Sequence, residues 1–400
     1  MLVNGKRELA YVVQIDNIIP IDGADRVEQA IVGGWHIMVK KDQFKVGDKA
    51  IYFEIDSKVP EKEPFEFLAS KHYKIKTQKY FKGTVISQGL LMAFEDFDFI
   101  DFSAKGYEVG TPLTDILGVK YSVAEDNKRK VTVNKYARMK QRNAKLFNKY
   151  KWLNKIYSKT WGKKLLFLIL GNRRDAKAAF WPEWVVKTDE ERVQNLPQLF
   201  PPDDTKWIVT EKIDGTSTTF TMKKGKRKNK YEFYVCSRNV VFDKPDKQCF
   251  YETNVYTEMA EKYNIEAVLY DILYSNKDLS FVTIQGETYG KGIQQRDYHM
   301  DEVCLKAFNL IYGYKDGIVK RFNPMEMTYI LDNYNIPCVP ILDIDFKLPN
   351  TIDEMVAYAE GDSEVDGDYR EGVVLRTYDG VNSFKAVSNF YLTSKYGNNQ

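Results

Sequence analysis

The sequence predicts a multidomain protein with an N-terminal all-β domain and a C-terminal α+β domain that contains antiparallel sheets. Three observations support this fold class. The length of 400 residues accommodates two or three domains of about 100–200 residues each. Residues 1–120 read as short strands, whereas residues 181–400 mix strands and helices in irregular order. A block of positive charge within residues 121–180 separates the two regions.

The N-terminal domain, residues 1–120, is predicted to be a small closed barrel. Its turn signals lie at Asp22-Gly23, Gly33-Gly34 and Gly47-Asp48. Between and beyond them run segments rich in β-branched and aromatic residues: AYVVQIDNIIPI, RVEQAIVGGWHIMVK, DKAIYFEIDSKVP and GTVISQGLLMAF. About five strands in this length favour an OB-fold barrel, although other small barrels give the same pattern.

Residues 121–180 are predicted to be a basic helical linker or insert. Between Lys128 and Lys177 there are 17 Lys/Arg residues against one acidic residue, Asp175. Such a charge block is typical of elements that bind polyanions, although a solvated helix face is the alternative. Apolar residues recur mostly at helical spacing, so the stripe they form either packs on a neighbouring domain or contacts a membrane. These residues are Tyr136, Met139, Leu146, Phe147, Tyr150, Leu153, Ile156 and Tyr157.

Cysteine and histidine usage argues against zinc and disulfides. The four cysteines lie far apart without a CxxC pair, and the sequence has three histidines. The N-terminus MLVNGKRELAY carries no secretory leader, so we expect a cytoplasmic protein. The longest apolar run, Leu165 to Leu170, is shorter than the ~20 residues that span a bilayer, and we expect no membrane partner.

The C-terminal domain, residues 181–400, is predicted to be α+β. The sequence Thr188-Asp-Glu-Glu191 predicts a capping box that opens a short helix, which Pro197 ends. Further helices are expected in VYTEMAEKYNI and near residues 325–334. The predicted strands are WIVTEKI, TSTTFTM, YEFYVCS, LSFVTIQGETY, VCLKAFNLIY and GVVLRTY. This irregular order favours antiparallel sheets over a doubly wound sheet.

The first chemical signal is a lysine at the end of a predicted strand. Lys212 follows WIVTE and is followed by Asp214 and the turn residue Gly215. A lysine amine attacks phosphorus only when it is neutral, so desolvation or neighbouring cations must lower its pKa. Attack on the α-phosphorus of ATP would form a phosphoramidate and release pyrophosphate. Taken alone, this motif is more often a surface turn.

Further groups supply the other requirements of that chemistry in chain order. A guanidinium and an amide suit ribose or phosphate, a carboxylate between glycines suits a ribose hydroxyl, and an aromatic ring suits adenine. A carboxylate at a strand start suits a divalent metal, and a second lysine suits the α-phosphate. These groups are Arg238, Asn239, Glu287, Phe308, Glu371 and Lys385. Each also has an ordinary explanation as a core residue or a salt-bridge partner.

Taken together, the series resembles motifs I, Ia, III, IIIa, IV and V of the covalent nucleotidyltransferases, which include DNA ligases, RNA ligases and capping enzymes. The stretch KTDEERVQN before Lys212 is similar to the lead-in to motif I of RNA ligases. ADRVEQAIVGGWHIMVKKDQFKVGDKAIYFEIDS, PFEFL and GTVISQGL resemble the OB domain of the Naegleria-type ATP-dependent RNA ligases. The resemblance covers about residues 1–120 and 180–395.

The resemblance implies an ATP-dependent RNA ligase that uses Mg²⁺ or Mn²⁺, joins 3′-hydroxyl and 5′-phosphate RNA ends, and serves RNA repair. Lys212 would be the adenylylated nucleophile, and Asp214 and Glu371 would hold the metal. The implied partners are ATP and RNA, as free ends or a nicked duplex, and a monomer is expected. The nucleotide-binding residues would be Glu211, Lys212, Arg238, Asn239, Glu287, Phe308 and Lys385. The candidate RNA-binding residues are Lys128, Arg129, Lys130, Arg138, Arg142 and Lys145.

Two other functions stay open at the level of sequence. DNA ligases and capping enzymes usually place an OB domain after motif V, whereas this sequence ends 15 residues after Lys385. A non-catalytic RNA-binding protein with a decayed nucleotidyltransferase domain is the second alternative, since OB barrels and basic grooves bind single strands without chemistry. One departure from the family pattern is Val387, at a motif V position that is commonly basic.

Overall fold

A computed structural model describes residues 1–3, 6–102, 106–122, 140, 144–170, 181–187, 189–225, 230–242 and 253–394. Five of the candidate RNA-binding residues lie outside this part of the chain, as does the side chain of Lys145. These five are Lys128, Arg129, Lys130, Arg138 and Arg142. Thr188, the first residue of the predicted capping box, also lies outside it.

The N-terminal domain is built from short antiparallel strands, as its four segments rich in β-branched and aromatic residues predicted. The two principal ladders run in the orders β12-β7-β3 and β4-β5-β6, with strand bounds as follows. The strands are β1 Leu2–Val3, β2 Lys6–Arg7, β3 Ala10–Gln14, β4 Asn17–Pro20, β5 Val27–Val32, β6 Trp35–Lys40, β7 Lys49–Phe53, β8 Ser57–Lys58, β9 Lys74–Ile75, β10 Gln78–Tyr80, β11 Val85–Ser87, β12 Leu90–Met92 and β13 Lys120–Tyr121.

The prediction of a closed barrel is not met in the described part of this domain, because its strands form separate ladders without continuous hydrogen bonding. The chain leaves β3 at Gln14 and enters β4 at Asn17, so the two halves of one predicted strand join different ladders. Both ladders nevertheless contribute to one core, in which Trp35 and Tyr52 are fully buried. Each such apolar side chain contributes about 1.5–3 kcal/mol on burial.

Three short helices follow in the described part of the basic segment, where the sequence predicted one amphipathic helix. They are α1 Ala144–Lys149, α2 Trp152–Tyr157 and α3 Thr160–Leu170. Phe147, Leu153 and Leu166 form a small core of their own. Among the described residues, no helix is long and apolar enough to cross a membrane.

The C-terminal domain contains a five-stranded sheet, β14-β24-β23-β15-β22, and a six-stranded sheet, β18-β17-β16-β19-β20-β21. All neighbouring strands are antiparallel except β14 and β24, which confirms the predicted α+β class. The strands are β14 Glu191–Arg192, β15 Lys206–Lys212, β16 Thr216–Lys224, β17 Tyr231–Cys236, β18 Val241–Phe242, β19 Leu279–Gly290, β20 Val303–Tyr314, β21 Val319–Arg321, β22 Ile341–Lys347, β23 Gly372–Thr377 and β24 Ser383–Val387. The helices are α4 Val255–Lys262, α5 Ile265–Ser275, α6 Pro324–Asp332, α7 Ile352–Tyr358 and α8 Asn389–Thr393.

The prediction of a capped helix at Thr188-Asp-Glu-Glu191 is wrong. Glu191 and Arg192 form β14, which pairs in parallel with Phe384 and Lys385 of β24. Two 3₁₀ turns follow, at Val193–Asn195 and Pro197–Leu199. The carboxylate of Glu191 accepts a hydrogen bond from the Asn195 amide, 2.8 Å away, instead of capping a helix. Pairing with a strand almost 200 residues later therefore overrides the local signal.

Candidate functional site

The strand register brings the predicted lysine and carboxylates to one place. Lys212, the last residue of β15, pairs with Gly372, so Glu371 immediately precedes its partner on β23. Ser217 of β16 pairs with Glu287 of β19, which brings this carboxylate close to the turn after Lys212. Lys385 pairs with Val374 in the adjacent β24. Antiparallel pairing thus collects residues that are up to 173 positions apart in the sequence.

Lys212 is paired with Glu371, and their Nζ and Oε2 atoms are 2.7 Å apart. Burial lowers the pKa of Lys212, but the carboxylates of Glu371, Glu287 and Asp214 more than offset this effect and hold the pKa above its usual value. The expectation that the surroundings depress this pKa is therefore wrong. The physical reason is that the acidic neighbours of the amine outweigh the cations.

The three carboxylates around Lys212 carry more negative charge than the site neutralises. Burial, followed by repulsion from Glu371, raises the pKa of Asp214 well above that of a free aspartate. Burial is also the main cause that raises the pKa of Glu287 to about 8. Within the described ranges, no three His, Cys, Asp or Glu side chains converge as a metal cage. This excess charge suits a divalent cation held by Asp214, Glu371, water and substrate phosphates, which is how Mg²⁺ is commonly bound.

Asp214 is held in place by two tyrosines that the sequence did not single out. The Tyr391 hydroxyl donates to Asp214 Oδ2 at 2.5 Å, and the Asp214 backbone N–H donates to the Tyr298 hydroxyl oxygen at 2.7 Å. Tyr298 also lies under the guanidinium of Arg296, 4.0 Å from the ring centroid. Tyr391 lies on α8, which directly follows the motif V strand, and that position is a sequence signal by which it could have been found.

Gly215 is required because another strand lies against it. A Cβ atom at this position would lie 2.4 Å from the backbone oxygen of Thr288 and 3.0 Å from the side chain of Glu287. The turn glycine predicted from sequence is therefore explained by close approach of β19, since its φ lies outside the left-handed region. A side chain here would push Glu287 away from Lys212.

A second cluster of charges surrounds Asp189, which the sequence reading passed over within the KTDEERVQN lead-in. Its carboxylate contacts Lys385 at 2.9 Å and Arg238 at 2.8 Å, and Arg7 of the N-terminal domain lies 3.8 Å away. Nearby cations hold the pKa of Asp189 well below its usual range, although burial opposes them. Burial lowers the pKa of Lys385 to about 8, and Arg7 and Arg192 reinforce this shift.

Val387 supplies no charge to this cluster. It is buried at the end of β24 and pairs with Gly372. Arg7 and Arg192 are the additional cations that act on Lys385, and both belong to segments that precede Lys212 in the sequence. In the described structure, arginines from earlier segments of the chain therefore supply positive charge near Lys385. The family pattern usually supplies this charge from a second basic residue of motif V.

The other predicted nucleotide-binding residues, Phe308, Asn239 and Glu211, lie in three different surroundings. Phe308 lies on β20, partly buried against the apolar cluster that contains Ile213. Asn239 is exposed in the turn after β17, where its Oδ1 accepts a hydrogen bond from Lys187 at 3.0 Å. The carboxylate of Glu211 does not join the Lys212 cluster, because neighbouring residues of a strand point to opposite faces. It accepts hydrogen bonds from the Ser363 hydroxyl and the Glu364 N–H instead.

Comparison with known proteins agrees with this architecture. An OB-fold domain model matches residues 9–94, and the RNA ligase family model matches residues 205–387. No curated protein sequence matches the chain. The fold, the two matches and the lysine-centred site define a nucleotidyltransferase of the ligase type with an N-terminal OB-fold domain.

Similarity to solved structures is more specific. The chain is similar to Naegleria gruberi RNA ligase with PPi, with 27% identity and a TM-score of 0.71, over 97% of this chain and 98% of that one. A mutant of that ligase with AMP and Mn gives 26% identity and a TM-score of 0.71, over 96% and 98%. Another mutant, with ATP and Mn, gives 26% and 0.70 over the same shares. The chain is therefore similar to a Naegleria RNA ligase over nearly its whole length, and residues 205–387 match the RNA ligase family model.

Proposed function

We propose that this chain is an ATP-dependent RNA ligase that joins a 3′-hydroxyl end to a 5′-phosphate end through a lysyl–AMP intermediate on Lys212. The observation that carries the proposal is the convergence of Lys212, Glu371, Glu287 and Lys385 on or beside neighbouring strands of a domain that matches the RNA ligase family. A decayed domain would have no reason to keep this set together. The proposed physiological role is RNA repair.

The proposed ligation proceeds in three steps. The neutral amine of Lys212 attacks the α-phosphorus of ATP, a P–N bond forms, and pyrophosphate leaves. The 5′-phosphate oxygen of an RNA end then attacks the same phosphorus, which transfers AMP to RNA and frees the lysine. Finally, the 3′-hydroxyl of the second end attacks the 5′-phosphorus, a phosphodiester forms, and AMP leaves.

The chain's own residues prepare the first step. Glu371 Oε2 lies 2.7 Å from Lys212 Nζ, a distance at which it can accept the proton that the amine must lose. Lys385 presents a positive charge for the α-phosphate, and Asp189 fixes its position. We assign Glu287 and the neighbouring Arg238 and Asn239 to the ribose and phosphates, Phe308 to stacking on adenine, and Glu211 to the nucleotide pocket beside Ser363.

A divalent cation would complete the site. Mg²⁺ or Mn²⁺, when bound to Asp214 and Glu371, supplies positive charge that screens the phosphates and offsets the carboxylates around Lys212. The Naegleria gruberi structures that contain ATP together with Mn support this choice of cofactors.

Intact mass spectrometry tests the proposed activity. After incubation with ATP and Mg²⁺ or Mn²⁺, the protein should gain the mass of one AMP, and added pyrophosphate should remove it. The adenylylated protein should then seal RNA ends without further ATP. A protein that gains no adduct, and from which pyrophosphate removes none that was already present, would contradict the proposal.

Affinity for ATP should weaken at alkaline pH because of Lys385. With its pKa lowered to about 8, this lysine is charged below pH 8 and becomes neutral above it. Since the charged form attracts phosphate, the KM for ATP in lysyl–AMP formation should rise, approaching about tenfold per pH unit above the pKa. The measurement is single-turnover adenylylation between pH 7 and pH 10. Lys385→Arg keeps its charge over this range and should give a flatter profile; equal profiles would contradict the assignment.

Six basic residues between positions 128 and 145 are proposed to bind the RNA backbone. Their combined replacement by alanine should reduce RNA affinity and flatten its salt dependence, by a slope of about 0.7 per lost phosphate contact on single strands. Lysyl–AMP formation should persist. The replaced residues are Lys128, Arg129, Lys130, Arg138, Arg142 and Lys145.

Equilibrium RNA binding at several salt concentrations measures this effect. A matched control replaces the same number of exposed lysines elsewhere: Lys40, Lys41, Lys45, Lys277, Lys315 and Lys347. An unchanged salt slope in the first variant, or an equal change in both variants, would contradict the proposed contact between these basic residues and the RNA backbone.

The proposed division of the chain is an OB-fold domain at 1–120, a basic helical insert at 121–180 and a nucleotidyltransferase domain at 181–400. We also propose that the protein acts as a monomer in the cytoplasm. The family-model matches at 9–94 and 205–387 support the first and third units.

A further inference from the structure

The three helices α1–α3 form a unit with two apolar faces. The inner face is closed by Phe147, Leu153 and Leu166, which pack on each other. The Asn154 amide donates to the backbone oxygen of Phe147 at 3.1 Å and ties α2 to α1. The residues of this inner core hold the three helices together. The apolar residues on the outer face are not part of that core, so their presence needs a separate explanation.

The outer face of α3 carries a continuous apolar stripe, here called the α3 stripe and consisting of Trp161, Leu165, Leu168 and Ile169. Their spacing of four, three and one residues places them on one side of a helix. They are exposed by 58%, 43%, 70% and 66%, respectively. Trp152 of α2 is exposed to a similar degree. Large apolar side chains that adjoin in this way mark an interaction surface.

The sequence left open whether apolar residues of this segment pack on a neighbouring domain. Within the described part of the chain, the side chains of the α3 stripe are exposed and are not packed on a neighbouring domain. The charge around the stripe then restricts the partner. Residues 144–170 contain seven lysines and no acidic residue, and Lys155, Lys159 and Lys164 are exposed. The same face of a second copy would repel this surface, whereas an anionic partner would attract it.

Two anionic partners have to be distinguished, a nucleic acid and a lipid surface. Bases stack on aromatic rings, but Leu165, Leu168 and Ile169 have no π face, and they extend the apolar surface by a further two turns of helix. Aliphatic side chains together with tryptophan and flanking lysines are instead the composition of helices that lie in the interface of an anionic bilayer.

We propose that α1–α3 dock this chain peripherally on anionic lipid surfaces through the α3 stripe and Trp152. The lysines provide attraction to the headgroups, and the apolar side chains enter the boundary between headgroups and acyl chains. Because α3 is only 11 residues long, it lies on the surface and does not cross the bilayer. The docking is separate from ligation and would localise the enzyme without changing its chemistry.

Vesicle co-sedimentation of the full chain tests the docking. Vesicles of phosphatidylcholine with about 40% phosphatidylglycerol should bind the protein, vesicles of phosphatidylcholine alone should not, and about 0.5 M salt should weaken the binding. The double substitution Leu168→Gln and Ile169→Gln should reduce the affinity at least tenfold. A matched control, Ile318→Gln with Val319→Gln, changes another exposed apolar pair, in the C-terminal domain, and should have no effect.

Lysyl–AMP formation by each variant verifies that it is folded, since none of these residues belongs to the proposed active site. Absence of binding to anionic vesicles, or equal binding by both double variants, would overturn the docking. Reduced RNA affinity in the α3 variant without vesicle binding would assign the surface to RNA instead. If the wild type formed no lysyl–AMP, the proposed ligase activity would fail, but the vesicle result would still decide the docking.

Discussion

Replacing Lys212 by alanine should abolish formation of the AMP adduct and the sealing of RNA with an ordinary 5′-phosphate. The physical reason is that the lysine amine supplies the nitrogen of the proposed P–N bond, whereas the alanine side chain has no nucleophilic atom. The loss should reach the detection limit of intact mass spectrometry after incubation with ATP and Mg²⁺ or Mn²⁺. Sealing of an RNA strand that already carries AMP on its 5′-phosphate should persist, because the last step does not use the lysine.

Lys206→Ala is the matched control for this substitution. Lys206 begins the same strand, β15, but is exposed and pairs with Asp345 at the far end from the site. Its replacement should leave adduct formation unchanged, since an exposed ion pair contributes little to stability. An AMP adduct on the Lys212→Ala protein, mapped to another lysine, would refute the assignment of the nucleophile.

Replacing Glu371 by glutamine should slow lysyl–AMP formation by about 100-fold or more, the size of effect seen when one electrostatic group of an active site is removed. The amide retains the shape of the side chain but loses the charge that faces Lys212 Nζ at 2.7 Å. It can neither accept the lysine proton nor hold a divalent cation well. Rates measured at increasing Mg²⁺ or Mn²⁺ should show that more metal is needed for half-maximal activity.

The metal titration separates this role from a structural one. A variant that is merely misfolded would lose activity at every metal concentration, and thermal unfolding would reveal it. Glu364→Gln is the control, because Glu364 is exposed and only its backbone N–H contacts the buried Glu211. Wild-type rates in Glu371→Gln with an unchanged metal requirement would remove Glu371 from the proposed metal site.

Much of the fold was predictable because it follows local patterns. The strand-like segment WIVTEK forms most of β15, and Lys212 lies at its end as predicted. The motif order also identified residues that the strand register brings together, among them Glu287, Glu371 and Lys385. These predictions succeeded because strand alternation and motif spacing are properties of the chain itself.

Two of the failed predictions concern pairing between strands that lie far apart in the sequence. Glu191 reads as part of a helix cap, but it belongs to a strand that pairs with β24. The β3–β4 segment reads as one strand of a barrel, but its two halves join different ladders. The helix α7 was missed, although its capping box of Thr351 and Glu354 is visible in the sequence. In the first two cases the competing partner lies far away in the chain and leaves no local signature.

The sequence by itself determined the class of protein and the concentration of positive charge in residues 121–180, and it singled out Lys212 as the proposed nucleophile. These depend on which residues are present and in what order. Only the tertiary structure decided the pKa direction of Lys212, the support of Asp214 by Tyr391, and the exposure of the α3 stripe. Each of these depends on burial and on distances of a few ångströms between residues remote in sequence, and electrostatic and packing energies change steeply over such distances.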